Sequence, residues 1–237
     1  MGFLNTILDG ILNIVFPAKC ILCGQSGADL CLACLLESPA AERESEGWIF
    51  PLYDYRHPGI KKSLWLLKYN NKKRLAKIFA EAMYGQILEE LSELAVMQNF
   101  NEAILMPIPL SAKRYHERGY NQAELICEEI IHLTPPPAGG PSPGEGEGCP
   151  RLTLEKNILI KTFETEHQAR IRDRRTRLKN IVGSFAIKNT KENLKKIKNR
   201  NIILIDDITT TGATLNEAKK VLRKFGARKI IAFTVAH

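Results

Sequence analysis

The sequence has no apolar run long enough to cross a bilayer, no internal repeat and no basic segment ahead of its apolar start. The first absence excludes a membrane-spanning helix, which needs about 20 consecutive apolar residues. The third bears on export. Phe3, Leu4, Ile7, Leu8, Ile11, Leu12, Val15 and Phe16 recur at helical spacing among Asn5, Asp9 and Asn13. This stretch therefore reads as an amphipathic helix ending before Pro17 rather than a signal peptide, and a cytoplasmic location is expected. Aromatics are also few, at 7% of residues. They are sparse in the most basic part of the chain, which leaves few platforms there for stacking bases.

What the chain does have is room for one substantial α/β domain with a small appendage, at 237 residues. Its net charge of +8 favours anionic partners such as phosphates, nucleic acid or anionic lipid. The charge is unevenly spread. Arg170, Arg172, Arg174, Arg175, Arg177 and Lys179 crowd together with only Asp173 opposing them, and Lys191, Lys195, Lys196, Lys198 and Arg200 follow.

Cys20, Cys23, Cys31 and Cys34 form two CxxC pairs separated by seven residues. That spacing brings four thiolates to one tetrahedral Zn2+. Two disulfides are the competing reading, but adjacent CxxC pairs close poorly as stabilising bridges, and nothing else points to export. Cys127 reads as a buried thiol and Cys149 as a linker thiol.

The chemistry concentrates in Ile202 to Leu215, IILIDDITTTGATL. Four successive aliphatics predict a central parallel strand covered on both faces, with Asp206 and Asp207 at its carboxyl end, where open α/β sheets bind ligands. Thr209, Thr210, Thr211, Gly212, Ala213 and Thr214 then form a hydroxyl-rich turn, and a helix from Leu215 runs through Leu222 and Phe225 to Gly226. Backbone N–H groups at that helix start suit a phosphate, and the two acids suit vicinal hydroxyls. The ligand so described is a ribose 5-phosphate with free 2- and 3-hydroxyls. The competing reading has the acid pair capping a helix or binding metal in a response-regulator-like fold, which leaves the threonine-glycine turn without a job.

Elsewhere the pattern predicts a connection over Ser38 to Gly47 and a strand over Trp48 to Tyr55, its aromatics lying between knuckle and core. A short helix through Ile60, Leu64 and Leu67 and a long amphipathic one from Arg74 to Leu94 follow. A strand is expected over Glu102 to Pro109 and a helix over Gly119 to Leu133. Thr134 to Pro150 is dominated by proline and glycine and reads as a disordered insertion. Strands are then expected at Asn157 to Lys161, Ile181 to Ile187 and Lys229 to Val235. Strands alternating with helices imply an α/β fold with a mainly parallel sheet and helices on both faces. The expected division is an amino-terminal helix and knuckle, 1–47, followed by one α/β domain, 48–237.

The hydrophobic strand, Asp-Asp and Thr-Thr-Gly-x-Thr run resembles the 5-phosphoribosyl 1-pyrophosphate (PRPP) loop of type I phosphoribosyltransferases. Lys113, Arg114 and Arg118, directly after a strand in MPIPLSAKRYHERGYNQ, are then placed to neutralise a pyrophosphate leaving group. The cysteine quartet, the Trp65-to-Tyr69 helix with Lys68-Tyr69, the PIP and RGYNQ blocks, RLKNIVGSF and the Asp-Asp-Ile-Thr-Thr-Thr-Gly loop, in that order, resemble the ComF family of competence-associated proteins. The proline-glycine insertion and the crowded arginines around Gln168 depart from its pattern.

The resemblance implies a phosphoribosyltransferase-like fold with PRPP and Mg2+ as ligands. It also implies a part in natural transformation alongside the DNA-uptake machinery. Asp206, Asp207 and Arg118 are the expected catalytic residues, Lys113, Arg114 and the turn from Thr209 to Thr214 the expected substrate site. Three roles compete: an enzyme, a single-stranded DNA-binding protein using Arg172, Arg174 and Arg175, and a PRPP-sensing adaptor without turnover. The arginines between Arg170 and Arg177 serve equally as a lid over the site. No separate hood for a nucleobase is expected after the last strand, and the zinc module is the alternative wall for an acceptor.

Overall fold

The computed structural model describes residues 18–42, 46–98, 100, 102–134, 151–162 and 181–237. The amino-terminal amphipathic segment, nearly all of the proline-glycine insertion and the arginine-rich stretch fall outside these residues. A parallel sheet organises the rest, in the order β1 (Ile49–Tyr53), β7 (Lys229–Ala236), β6 (Asn201–Ile208), β2 (Glu102–Pro107) and β3 (Arg151–Leu154). All four pairings are parallel.

The centre of this sheet follows from its aliphatic run. In an extended strand successive side chains leave on opposite sides. Ile203 and Ile205 accordingly join one apolar cluster with Phe79, Met83, Ile87, Ile126 and Ile130, from helices α3 (Leu75–Gln98) and α5 (Gln122–Leu133). Ile202 and Leu204 join a second cluster with Leu215 and Leu222 of α7 (Ala213–Lys224) and Ile197 of α6 (Lys191–Ile197). Every one of the four is fully buried, so β6 has no solvent face and needs none of the polar alternation of a half-exposed strand.

Several expected elements are present with different bounds or partners. The Trp48 to Tyr55 segment contributes β1, an edge strand of the main sheet, where Pro51 costs no central ladder bond. Phe50 stacks on Phe233 at 5.1 Å between centroids, and Tyr53 shares a buried cluster with Leu30 and Leu35. Trp48 lies apart, under the Lys219 ammonium. A separate helix, α4 (Ala112–Arg118), ends at left-handed Gly119, and α5 begins only at Gln122. The helix expected from Gly119 therefore begins three residues later, and the preceding helix α4, which was not expected, ends at the residue best able to adopt φ 76°.

Strand β3 was not expected, because RLTL is four residues long and directly follows the proline-glycine run. The expected strands at Asn157 and Ile181 shorten to β4 (Leu159–Lys161) and β5 (Phe185–Ile187). These pair antiparallel in a small second sheet rather than joining the main one. Gly183, at φ 78°, and the turn closed by Ser184 N–H on the Ile181 carbonyl keep β5 from starting earlier.

The cysteine module precedes β1. Its helix α1 (Leu32–Leu36) has Cys31 at its N-cap, and α2 (Pro58–Tyr69) follows β1 with proline in the first turn. Lys72 pairs with Asp29 of the module at 3.0 Å. No described helix is long and apolar enough to cross a membrane.

Candidate functional site

The carboxyl ends of β6 and β2 open into a cleft of about 200 Å3. Asp206 and Asp207 line its floor, with the Thr209 to Thr214 loop on one side and Arg114, Arg118 and Lys161 on others. The strand runs on to Ile208, so both acids lie within it and leave it on opposite sides. Asp207 meets Lys68 of α2, with Nζ 2.7 Å from Oδ2. Asp206 accepts the Asp207 backbone N–H at 2.8 Å. Burial, reinforced by the neighbouring Asp207 charge and only partly offset by that N–H, pushes the Asp206 carboxyl up to about 8.

The loop is shaped by one residue. Gly212 caps α7 in the left-handed conformation, φ 70°, and a Cβ there would stand 3.1 Å from Ile49 Cδ1. Thr209 is held by its N–H on the Ala236 carbonyl at 3.0 Å. Thr211 Oγ1 accepts the Ala213 N–H at 3.4 Å. The first N–H groups of a helix have no partner within it, so the start of α7 presents donors and a partial positive charge to the cleft.

Across the cleft, the RGYNQ block shows what each of its residues contributes. Gly119 ends α4, and Tyr120 donates its hydroxyl to the Leu67 carbonyl beneath Lys68. Asn121 accepts the Ala123 N–H at 3.1 Å and donates to the Ile108 carbonyl at 3.0 Å, which fixes the start of α5. Gln122 Oε1 accepts from Arg118 at 2.7 Å, and the Arg118 guanidinium lies 5.1 Å from the Tyr69 ring centroid.

Arg114 and Arg118, four residues apart, share the face of α4 that lines the cleft. Lys113 does not join them. It lies about 100° round the helix and is exposed, so its expected substrate role is not matched by its position. Lys68 and Lys161 are cleft residues that the expected site did not include. Lys68 carried a signal only through the Lys68-Tyr69 pair in the family resemblance, and Lys161 carried none, because only the antiparallel β4–β5 pairing brings it over the sheet edge. Arg172, Arg174 and Arg175 lie outside the described residues.

The four sulfurs of Cys20, Cys23, Cys31 and Cys34 lie within 4.8 Å of one another. Cys23 and Cys31 sulfurs are 3.8 Å apart. A tetrahedral Zn2+ with bonds of about 2.3 Å separates its sulfurs by about 3.8 Å, so the cluster fits a metal ion of that size. Burial alone would raise the Cys20 thiol. Backbone N–H groups of Cys23, Cys31 and Leu22 outweigh it and bring the thiol down to about 6, whereas the neighbouring thiols of Cys31 and Cys23 push the Cys34 thiol up, so the metal assignment rests on the sulfur spacing. Cys127 is fully buried on α5.

Mg2+ fares differently. It demands near-octahedral oxygen coordination. The cleft floor offers two carboxylates, one already paired with Lys68 and the other disposed to keep its proton. These residues do not fit a resident Mg2+.

A parallel sheet whose central strand ends in an acid pair and runs into a threonine-glycine loop at a helix start defines a phosphoribosyltransferase-like α/β protein. Residues 160–237 match the phosphoribosyl transferase domain family. Homologues carry competence and DNA-utilization names. Competence protein F of Haemophilus influenzae is 27% identical over 222 residues, 90% of this chain and 83% of that protein. Competence protein ComFC of Bacillus subtilis is 35% identical over 133 residues, 56% of this chain and 43% of that one. DNA utilization protein YhgH of Salmonella typhimurium is 23% identical over 200 residues, 84% of this chain and 74% of that one. The resemblance to the ComF family therefore stands.

Proposed function

We propose that this protein binds PRPP in the cleft at the end of β6 and acts in the cytoplasm in the handling of incoming DNA. The observation that carries the first part is the single cleft holding Asp206, Asp207, the Thr209–Thr214 loop and Arg114 with Arg118. The loop and the α7 start would take the 5-phosphate, the acids the ribose hydroxyls, and the two arginines the pyrophosphate. Mg2+ would arrive as the PRPP complex, held by the ligand's own oxygens, since the acid pair offers no resident site.

The chemistry such a cleft supports is transfer of the phosphoribosyl group. The bond from C1 to the pyrophosphate oxygen breaks with its electron pair leaving on pyrophosphate, and a nucleophilic atom of an acceptor bonds to C1 and gives up its proton. Positive charge grows on the ribose ring, so stabilising the departing anion matters more than activating the nucleophile. Arg114 and Arg118 stand where that anion would leave.

The cysteine cluster is assigned to Zn2+. The DNA part rests on the names of the homologues, and single-stranded DNA is the partner inferred, with Arg172, Arg174 and Arg175 as its contacts. Calorimetry with Mg2+ and PRPP tests the ligand reading, and Asp206→Asn with Asp207→Asn should weaken binding at least tenfold. Equal affinity in a folded double variant would overturn it.

A further inference from the structure

The pairing of Lys68 with Asp207 gives the cleft a property that the acid pair alone would not have. Nζ and Oδ2 are 2.7 Å apart, with the two side chains only 16% and 13% exposed. At that exposure neither bulk water nor salt screens the pair as it would on an open surface. The helix that delivers the lysine is well anchored. Leu67, one residue earlier, is fully buried, and its carbonyl accepts the Tyr120 hydroxyl. Tyr69, one residue later, lies against Arg118. The last turn of α2 thus touches both the acid floor and the basic wall of the cleft.

We propose that Lys68 is a tethered counter-ion that fills the cation position at Asp207 and so sets the cation specificity of the cleft. Free divalent ions are kept off the acid pair, and the ammonium leaves Asp207 only when a bound anion draws it away. Two features support the exchange. A lysine ammonium on a flexible four-carbon stem can swing without moving its helix. Lys68, Arg114, Arg118 and Lys161 line the same cleft as Asp206 and Asp207, four cationic side chains beside two acids of which Asp206 is disposed to keep its proton, an excess of positive charge that an incoming diphosphate would offset. The site therefore needs no resident metal to hold its carboxylates in place. This inference rests on the PRPP reading for the identity of the anion, though not for the pairing itself.

Mn2+ is the probe, followed by electron paramagnetic resonance on zinc-loaded protein in the absence of PRPP. The wild type and Lys68→Arg should leave Mn2+ free at about millimolar concentration, whereas Lys68→Met should bind it at least tenfold more tightly. Lys68→Met combined with Asp207→Asn should lose that gain. Equal Mn2+ affinity in wild type and Lys68→Met, or a gain that survives Asp207→Asn, overturns the proposal.

Should Lys68→Met fail to fold, amine labelling read by mass spectrometry serves on variants that keep the lysine. Lys68 should react more slowly than exposed Lys61 and Lys62, and at least tenfold faster once Asp207→Asn removes its partner. Unchanged labelling sinks the idea. PRPP calorimetry on the same proteins separates the two readings. Absence of PRPP binding with the Mn2+ result intact removes the ligand and leaves the counter-ion. PRPP binding with no Mn2+ difference does the reverse.

Discussion

Arg118 donates a hydrogen bond to Gln122 Oε1 at 2.7 Å across the break between α4 and α5. The two residues lie four apart, yet Gly119 has already turned the chain, so their contact depends on the left-handed cap as much as on spacing. Arg118 is thereby held from one side by Gln122 and from the other by Tyr69.

Gln122→Leu keeps the volume of that side chain and removes the acceptor. Arg118 then loses its tether without losing its charge. PRPP affinity should fall at least about tenfold while the thermal midpoint drops by only a few degrees, as expected when one hydrogen bond to a charged group, worth roughly 1.5–3 kcal/mol, is lost. A loss as large as that of Arg118→Ala would mean that Gln122 itself meets the ligand.

Asp206 supplies a pH signature. Its carboxyl holds a proton in the folded protein up to about 8, against about 4 for an ordinary aspartate. The folded state binds that proton more tightly than the unfolded one. Its contribution to stability is full below the unfolded value, declines as pH rises and is gone above about 8. Asp206→Asn removes this dependence. Melting curves between pH 5 and 9 should show the variant gaining on the wild type as pH increases, and a constant difference would mean that Asp206 does not hold its proton in the folded state.

Gly212→Ala meets two obstacles at once, the left-handed backbone and the 3.1 Å approach of Ile49 Cδ1. The backbone alone costs roughly 1–2 kcal/mol. Urea denaturation should show at least that loss. Phosphate affinity should fall with it, because the same residue aims the α7 start into the cleft.

Metal removal tests the cysteine cluster. Elemental analysis should find about one zinc per chain. Metal binding in small thiolate modules contributes on the order of 10 kcal/mol to folding. Cys31→Ser should therefore loosen the module, seen as faster amide exchange over residues 18–42, while β6 and β7 keep their protection. A zinc-free protein with an ordered module would refute the assignment.

The elements most legible in the sequence are those whose physics is local. Four aliphatics in a row can only be a strand buried on both faces or a buried helix segment, and the acid pair and glycine turn that follow decide between them. Gly212 fits a left-handed cap because it alone lacks a Cβ. The cysteine spacing implies a cluster whatever the rest of the chain does. RGYNQ was legible as a motif but not as a structure, since Gly119 serves equally to start a helix region or to end one, and only the packing of Tyr120 under α2 selects the break.

Tertiary structure alone decided which cations reach the acids. Helical periodicity separates Arg114 and Arg118 from Lys113, but the docking of α4 determines which of those faces looks into the cleft. Lys161 arrives through a short antiparallel pairing too brief to leave a pattern. Lys68 arrives from a helix 139 positions before Asp207 in the chain, on the far side of β2 in sequence order and next to the site in space. The sequence determined the strand, the loop and the metal cluster, because those depend on neighbours a few residues apart. The charge balance of the cleft depends on contacts between remote segments, and such contacts exist only once the sheet has formed and its helices have packed against it.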